Sequence, residues 1–147
     1  MLKKDILRRK DDFSAIYKKG KSTGERFVVL FYRKNNLSYN RIALLASKKV
    51  GNSVARNRAR RLMKENYRFL KHDIKTGFDL IFIARNSING KKAQHVGKSM
   101  QKALIKSKLL NQWFVYGNRG KQSEKDNDIT YKRVSEVYFT SFSPEMQ

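Results

Sequence analysis

The spacing of apolar residues predicts three helices in the first 110 positions. Phe13, Ile16 and Tyr17 stand at i, i+3 and i+4, which is the spacing of one helical face. Similar spacing recurs twice further along the chain, each time after polar residues that can begin a helix. The predicted helices end at Gly20, run from an N-cap at Asn52 or Ser53 to about residue 70, and span roughly 92–110.

Segments rich in β-branched and aromatic residues predict the strands. Residues 27–32 and 41–47 form two such segments on either side of a turn at 35–36, and residues 21–25 are a candidate edge strand. Residues 78–84 are an almost unbroken apolar run, which is typical of a central strand. A long helix joins two of these strands, so the order suggests a β-α-β unit with helices packed on a small sheet.

The length of 147 residues predicts one domain with a tail. We place the domain at 1–110 and the tail at 111–147. Within the tail, residues 118–128 are polar and resemble a linker, whereas residues 129–142 regain alternating apolar positions and could be a weak strand or an arm. The sequence predicts no role for this tail.

The net charge of the chain limits the kinds of partner that it can bind. The chain has 34 Lys and Arg against 12 Asp and Glu, a formal net charge of +22, which only a polyanion can screen. The plausible polyanions are nucleic acid and an anionic membrane surface, and no stretch of the sequence approaches the roughly 20 apolar residues that span a bilayer. No secretory signal is recognised, so we expect a cytoplasmic nucleic-acid-binding protein with no membrane partner. The absence of cysteine excludes disulfides, thiolate catalysis and cysteine zinc sites.

The basic residues are densest at the start of the second helix. Seven basic and no acidic residues lie between Lys48 and Lys64, where helix N-terminal N–H groups also favour phosphate. A charged run is more often a solvated helix face, but such a face normally mixes signs. The candidate RNA-binding residues are Lys48, Lys49, Asn52, Arg56, Asn57, Arg58, Arg60, Arg61 and Lys64.

Aromatic residues form a second candidate surface. Phe13 and Tyr17 share a face of the first helix, and Phe27, Val29 and Phe31 share a face of the first long strand. These side chains could simply be core, or some could line a groove in which unpaired bases stack. The sequence does not choose between the two.

Candidates for catalysis by the protein are poor. A metal-dependent nuclease needs clustered carboxylates, yet only Glu25, Glu65, Asp73 and Asp79 occur between Phe13 and Gly120. We therefore predict no catalytic residue and no metal ligand in the chain. Asp79, at the start of a strand, is expected to cap it or to pair with an arginine.

One ordered set of motifs resembles a known family. The run 48–61 reads Lys-Lys-Val-Gly-Asn-Ser-Val-Ala-Arg-Asn-Arg-Ala-Arg-Arg, with the triplet Arg-Asn-Arg at 56–58. Asp12-Phe13 precedes it, as do a Gly-Lys-Ser at 20–22 and the strand at 27–31. This order is similar to that of the bacterial ribonuclease P protein family over about residues 7–110. The segment 44–47 departs from the pattern, because the family often has a Gly there.

The resemblance implies a fold and a function. The fold is an α+β sandwich with a small four-stranded mixed sheet, in which the βαβ crossover carries the Arg-Asn-Arg helix. The function is to bind the catalytic RNA and the 5′ leader of precursor tRNA, assisting endonucleolytic removal of the leader by a ribonucleoprotein. By the same resemblance, the basic helix meets the catalytic RNA, Phe13, Tyr17 and Phe31 line the leader cleft, and Mg²⁺ belongs to the RNA subunit.

Two other readings stay open. A ribosomal or other structural RNA-binding protein would explain the charge and the basic helix, but not the whole ordered set of motifs. A DNA-binding regulator would be marked by a helix-turn-helix pair, whereas the sequence places a single basic helix between strands.

Overall fold

The computed structural model describes residues 2–110, 113–116 and 131–134. Three helices and a four-stranded sheet form the body of the protein, and a two-stranded ribbon follows. The elements are α1 (Lys10–Lys19), β1 (Lys21–Gly24), β2 (Val28–Lys34), β3 (Arg41–Leu45), α2 (Ser53–Leu70), β4 (Phe78–Ala84), α3 (Ala93–Lys106), β5 (Trp113–Tyr116) and β6 (Tyr131–Val134).

The sheet is mixed, with strand order β1-β2-β4-β3. β2 pairs antiparallel with both β1 and β4, whereas β3 pairs parallel with β4. The two parallel strands are connected through α2, because parallel neighbours need a crossover rather than a hairpin. This confirms the predicted α+β fold, including the βαβ unit that carries the basic helix.

The two faces of the sheet bury different groups. Leu30, Leu80 and Phe82 point to the face covered by α2 and α3, where Met63, Met100 and Leu104 complete the larger core. Alternate residues of the same strands point to the opposite face, as the period of two in a strand requires. There a smaller core packs beneath α1, and it consists of Leu7, Ile16, Ala43 and Ile81.

The N-terminal segment covers the edge of the sheet. Ile6 forms a parallel bridge to Ile42, and the Leu7 N–H donates to the Ile42 carbonyl at 3.0 Å. Leu7 itself is buried, so the basic segment before α1 is fixed along β3. Its cations stay at the surface, where Lys3, Lys4, Arg8, Arg9 and Lys10 are exposed.

Three boundaries differ from the sequence-based expectation. α3 ends at Lys106, because Lys108 adopts a left-handed φ of 60° and turns Leu109 and Leu110 back into the core. β3 ends at Leu45, two residues early. β2 begins at Val28, so Phe27 precedes the strand and packs in the larger core rather than on the face of Phe31.

In the tail, β5 and β6 pair antiparallel in a sheet of their own. Within residues 129–142, for which the sequence left a weak strand and an arm open, Tyr131–Val134 is a strand. The linker predicted at 118–128 lies outside the described residues. Over the ranges that the structure describes, no helix is long and apolar enough to cross a membrane.

Candidate RNA-binding surfaces

The turn before α2 is built to present its lysines. Val50 is buried and anchors the turn, while the Asn89 side-chain amide donates to the Val50 carbonyl at 2.6 Å. Gly51 has a φ of 143°, a region that side-chain-bearing residues rarely occupy, so glycine is required here. Lys48 and Lys49, which directly precede this fixed point, are both exposed.

Asn52 is the N-cap of α2, as predicted. Its Oδ1 accepts a hydrogen bond from the Ala55 N–H at 2.9 Å. The first turn carries no acidic residue, so the positive end of the helix dipole is not neutralised there. The Asn52 oxygen is therefore occupied by the backbone of α2. The surface around the N-terminus of the helix stays available to an anion.

The outward face of α2 is a narrow basic stripe. Successive helical residues are about 100° apart, so Asn57, Arg61 and Lys64 fall within about 60° of one another. All three are exposed, and one helical turn beyond them Arg68 is exposed as well. We call Asn57, Arg61, Lys64 and Arg68 the α2 stripe. None of the three basic residues of this stripe forms an ion pair with the described residues.

The remaining arginines of the predicted set point elsewhere. Arg56 and Arg60 are half-buried at the edge of the stripe, and the Arg60 guanidinium donates to the Asn57 side-chain oxygen. Arg58 lies about 120° around the helix from Lys64, and its guanidinium donates to the Lys91 carbonyl at 2.7 Å. The nine predicted residues thus share one helix and its leading turn, but they do not share one face.

The three predicted groove aromatics do come together. The ring centroids of Phe13 and Tyr17 lie 6.4 Å apart, and those of Tyr17 and Phe31 lie 5.1 Å apart in an edge-to-face arrangement. Tyr17 is 42% exposed, and Phe13 and Phe31 are half-buried. Partial burial raises the pKa of the Tyr17 hydroxyl, so it stays protonated and can donate a hydrogen bond at neutral pH.

Half-buried aliphatic residues extend this cluster across the sheet. Leu45 and Ile83 pack with Phe13 and Phe31 against the smaller core, on the face that α1 covers. We call Phe13, Tyr17, Phe31, Leu45 and Ile83 the aromatic groove. Because its members are partly exposed apolar groups backed by a core, the surface is suited to stacking bases.

An ionic network holds α1 against the sheet beside the groove. The Arg41 guanidinium donates to both carboxylate oxygens of Asp79, at 2.8 and 2.7 Å, and to Asp12 of α1 at 3.3 Å. The Asn35 amide also donates to Asp79, at 2.9 Å. The hydrogen bond to Asp79 raises the pKa of Arg41, so the guanidinium stays charged. Of the two roles that the sequence left open for Asp79, capping or pairing with an arginine, the structure shows the pairing; the identity of the arginine and its link to Asp12 could not be predicted.

Replacing Arg41 by Ala is expected to destabilise the protein by about 2 kcal/mol, because buried Asp79 would lose its charged partner and keep only Asn35. Urea unfolding monitored by circular dichroism measures the change. Lys98→Ala, at an exposed site on α3, is the control and should cost almost nothing. An Arg41→Ala loss as small as the control's would show that the network does not hold α1.

The two candidate surfaces lie on opposite layers of the sandwich. The α2 stripe belongs to the layer that packs on the larger core, whereas the aromatic groove lies on the α1 side. A ligand bound on one surface would therefore leave the other surface free.

The described carboxylates are engaged or scattered. Asp79 and Asp12 pair with Arg41, and Glu25 pairs with Lys106 at 2.8 Å. Among residues 2–110 and the two tail strands, no three His, Asp or Glu side chains are grouped so that they could hold a metal ion. These residues do not fit a protein-bound catalytic cation.

Comparisons with known proteins support the family resemblance of the run at 48–61. A family model described as ribonuclease P matches residues 1–108. A Thermoanaerobacter protein named "Ribonuclease P protein component" is 44% identical over 103 residues, which cover 70% of this chain and 89% of the relative. A Clostridium botulinum protein of the same name is 42% identical over 111 residues, covering 75% of this chain and all of the relative.

Solved structures show the same fold. The structure of the Staphylococcus aureus RNase P protein matches with a TM-score of 0.67 and 31% identity, covering 73% of this chain and 98% of the other. The RNase P protein from Thermotoga maritima matches with a TM-score of 0.63 and 30% identity, covering 68% and 94%.

Proposed function

The chain belongs to the ribonuclease P protein family, and from that premise we propose that it binds two RNAs on two faces, the catalytic RNA through α2 and the precursor tRNA leader through the aromatic groove. As the protein component of ribonuclease P it works in an endoribonuclease that acts as a ribonucleoprotein. The observation that carries the two-face proposal is the placement of the α2 stripe and the aromatic groove on opposite layers.

The role of α2 rests on charge and geometry. Arginine and lysine side chains bind phosphate oxygens, and the counterions that this binding releases from the RNA make it strong at low salt. Lys48 and Lys49 are exposed in the turn that precedes the N-cap of α2. Their charges add to the dipole of α2 at the end where phosphate is favoured. The A-form backbone of the catalytic RNA is the matching partner.

The role of the groove rests on exposed aromatic rings. A leader is single-stranded, so its bases are free to stack on Phe13, Tyr17 and Phe31. Mature tRNA has no such strand to offer. Occupation of the groove therefore favours precursor over product and positions the scissile phosphate relative to the catalytic RNA.

The chemistry itself is assigned to the RNA subunit. Mg²⁺ bound there would activate water and stabilise the leaving oxygen. The described side chains of this protein bind, neutralise and orient RNA. A cytoplasmic location follows from this assignment, since the proposed partners are the catalytic RNA and precursor tRNA.

Reconstitution tests the proposal. The protein mixed with ribonuclease P RNA and precursor tRNA at low magnesium should restore cleavage and leave a 5′-phosphate on the mature tRNA. Protein freed of RNA should not cut, because its described carboxylates form no metal-binding group. A ribosomal protein serves as the control of similar charge. Magnesium-dependent cleavage by the RNA-free protein would contradict the assignment of chemistry.

A further inference from the structure

A separate pocket lies where α1 ends against the sheet. It has a volume of about 310 Å³, and neither the α2 stripe nor the aromatic groove includes any of its residues. That volume is at the lower end of the range for small-ligand sites, so the pocket suits one compact group. Its lining consists of Lys19, Gly20, Lys21, Tyr32, Arg33, Lys34 and Phe78.

Gly20 gives the pocket its shape. A Cβ atom on Gly20 would lie 2.4 Å from the Ile16 carbonyl oxygen and 2.6 Å from that of Tyr32, both too close for any side chain. The absence of a side chain lets the last turn of α1 press directly on β2, while the Gly20 N–H donates to Ile16 at 2.9 Å. The chain then enters β1 at once, with Lys21 opposite Tyr32 in the register.

The rim of the pocket is wholly basic. Lys19, Lys21 and Lys34 are exposed, Arg33 is half-buried, and no acidic residue of the described ranges lines the pocket. The nearest acid in the register is Asp79, opposite Arg33, and it is already paired with Arg41. The four cations are therefore not neutralised by the sheet beneath them, and the pocket attracts an anion.

The walls of the pocket are aromatic. Tyr32 and Phe78 are half-buried rings that pack against the larger core and are thereby held in place. A fixed ring beside cations that form no ion pair with the described residues matches a base next to its phosphate, since base stacking tolerates any sequence and the RNA backbone needs positive charge. A bare inorganic anion would use the lysines but leave the rings without a partner.

We propose that this pocket holds one unpaired nucleotide of an RNA strand, with its phosphate among Lys19, Lys21 and Lys34 and its base against Tyr32 or Phe78. The inference rests on the proposed function. Two sources offer the same chemistry, because an unpaired nucleotide can come from a leader that continues past the aromatic groove or from a loop of the catalytic RNA. Lys19 lies two residues after Tyr17, so the pocket stands at the same end of α1 as Tyr17 but not on the same helical face.

Two variants test the pocket in the assembled holoenzyme. Lys21→Gln/Lys34→Gln removes two exposed charges, and Tyr32→Leu removes a ring while keeping an apolar side chain. Each should weaken RNA binding at least about fivefold, as expected for a lost stacked base or lost phosphate contacts. Lys75→Gln/Lys98→Gln, at exposed positions off the pocket, is the matched control and should stay within about twofold of wild type.

Separate measurements on the two RNAs show which of them supplies the nucleotide. Affinity of the holoenzyme is measured for precursor tRNAs with short and with long leaders, and affinity of the protein for the catalytic RNA is measured alone. A loss confined to long leaders assigns the pocket to the leader, and a loss for the catalytic RNA assigns it there. If the variants cleave and bind as well as the control in every measurement, the proposal that the pocket holds a nucleotide is wrong. Wild-type protein that fails to restore cleavage would instead overturn the proposed function.

The Tyr32→Leu result is read together with stability. Unfolding of each variant in urea shows whether the half-buried position tolerates leucine. Should Tyr32→Leu unfold, the exposed lysine pair still decides the matter, because those changes leave the core intact.

Discussion

Replacing Arg61 and Lys64 together by Gln is expected to weaken binding of the catalytic RNA by about 25- to 60-fold at about 0.1 M salt. Each phosphate contact releases counterions and contributes roughly 0.7 to 0.9 to the slope of log K against log salt. Both side chains are exposed on the α2 stripe and lack ion pairs within the described residues, so their charge is available to RNA. Titration of labelled catalytic RNA at several salt concentrations measures affinity and slope together.

A matched pair of lysines controls for charge. Lys75→Gln/Lys98→Gln removes the same two charges from exposed positions away from α2. If affinity comes from localised contacts, the control should keep its slope, while the α2 variant loses somewhat less than about 2 from its slope. Equal losses for the two variants would mean that diffuse charge, rather than α2, holds the catalytic RNA.

Replacing Phe31 by Ala is expected to lower the affinity of the holoenzyme for precursor tRNA by about 5- to 150-fold, the value of roughly 1–3 kcal/mol for one stacked base. Phe31 contacts Tyr17 edge-to-face and is only half-buried, so its ring is accessible to a ligand. Filter binding or fluorescence titration with precursor tRNA measures this loss.

The loss of stability on truncating Phe31 shows whether this ring belongs to the groove or to the core. A fully buried phenylalanine would cost about 3–5 kcal/mol on truncation, and a half-buried one should cost clearly less. Phe82, fully buried in the larger core, offers the comparison. Urea unfolding of Phe31→Ala and Phe82→Ala should therefore differ widely, and a Phe31→Ala loss as large as that of Phe82→Ala would return this ring to the core.

Local sequence patterns were enough to predict most of the fold. The Asn52 cap, the end of α1 at Gly20 and the apolar β4 all depend on neighbouring residues, and all were predicted correctly. Errors occurred where a distant partner overrides the pattern. The apolar spacing continues to Leu110, yet the chain turns at Lys108 so that Leu109 accepts a hydrogen bond from Lys75.

In the candidate sites too, local spacing could be predicted from the sequence, whereas contacts between distant residues could not. The spacing of Phe13 and Tyr17 placed both on one face of α1, but only the fold could show that Phe31 meets them and stays partly exposed. Likewise, the sequence showed a dense basic run, whereas the turning of Arg58 toward the Lys91 carbonyl depends on a loop 33 residues away. The pocket at Gly20 required the approach of α1 to β2, which no local pattern encodes.

The ratio of precursor to mature tRNA affinity, measured on holoenzyme at saturating catalytic RNA, tests the two-face account most directly. The account predicts that Phe31→Ala lowers this ratio, because only the precursor places a strand in the aromatic groove. It predicts that Arg61→Gln/Lys64→Gln leaves the ratio unchanged once enough catalytic RNA is present, because the α2 stripe contacts a different RNA on the other layer. A ratio that Phe31→Ala leaves intact, or that both variants lower equally, would contradict it.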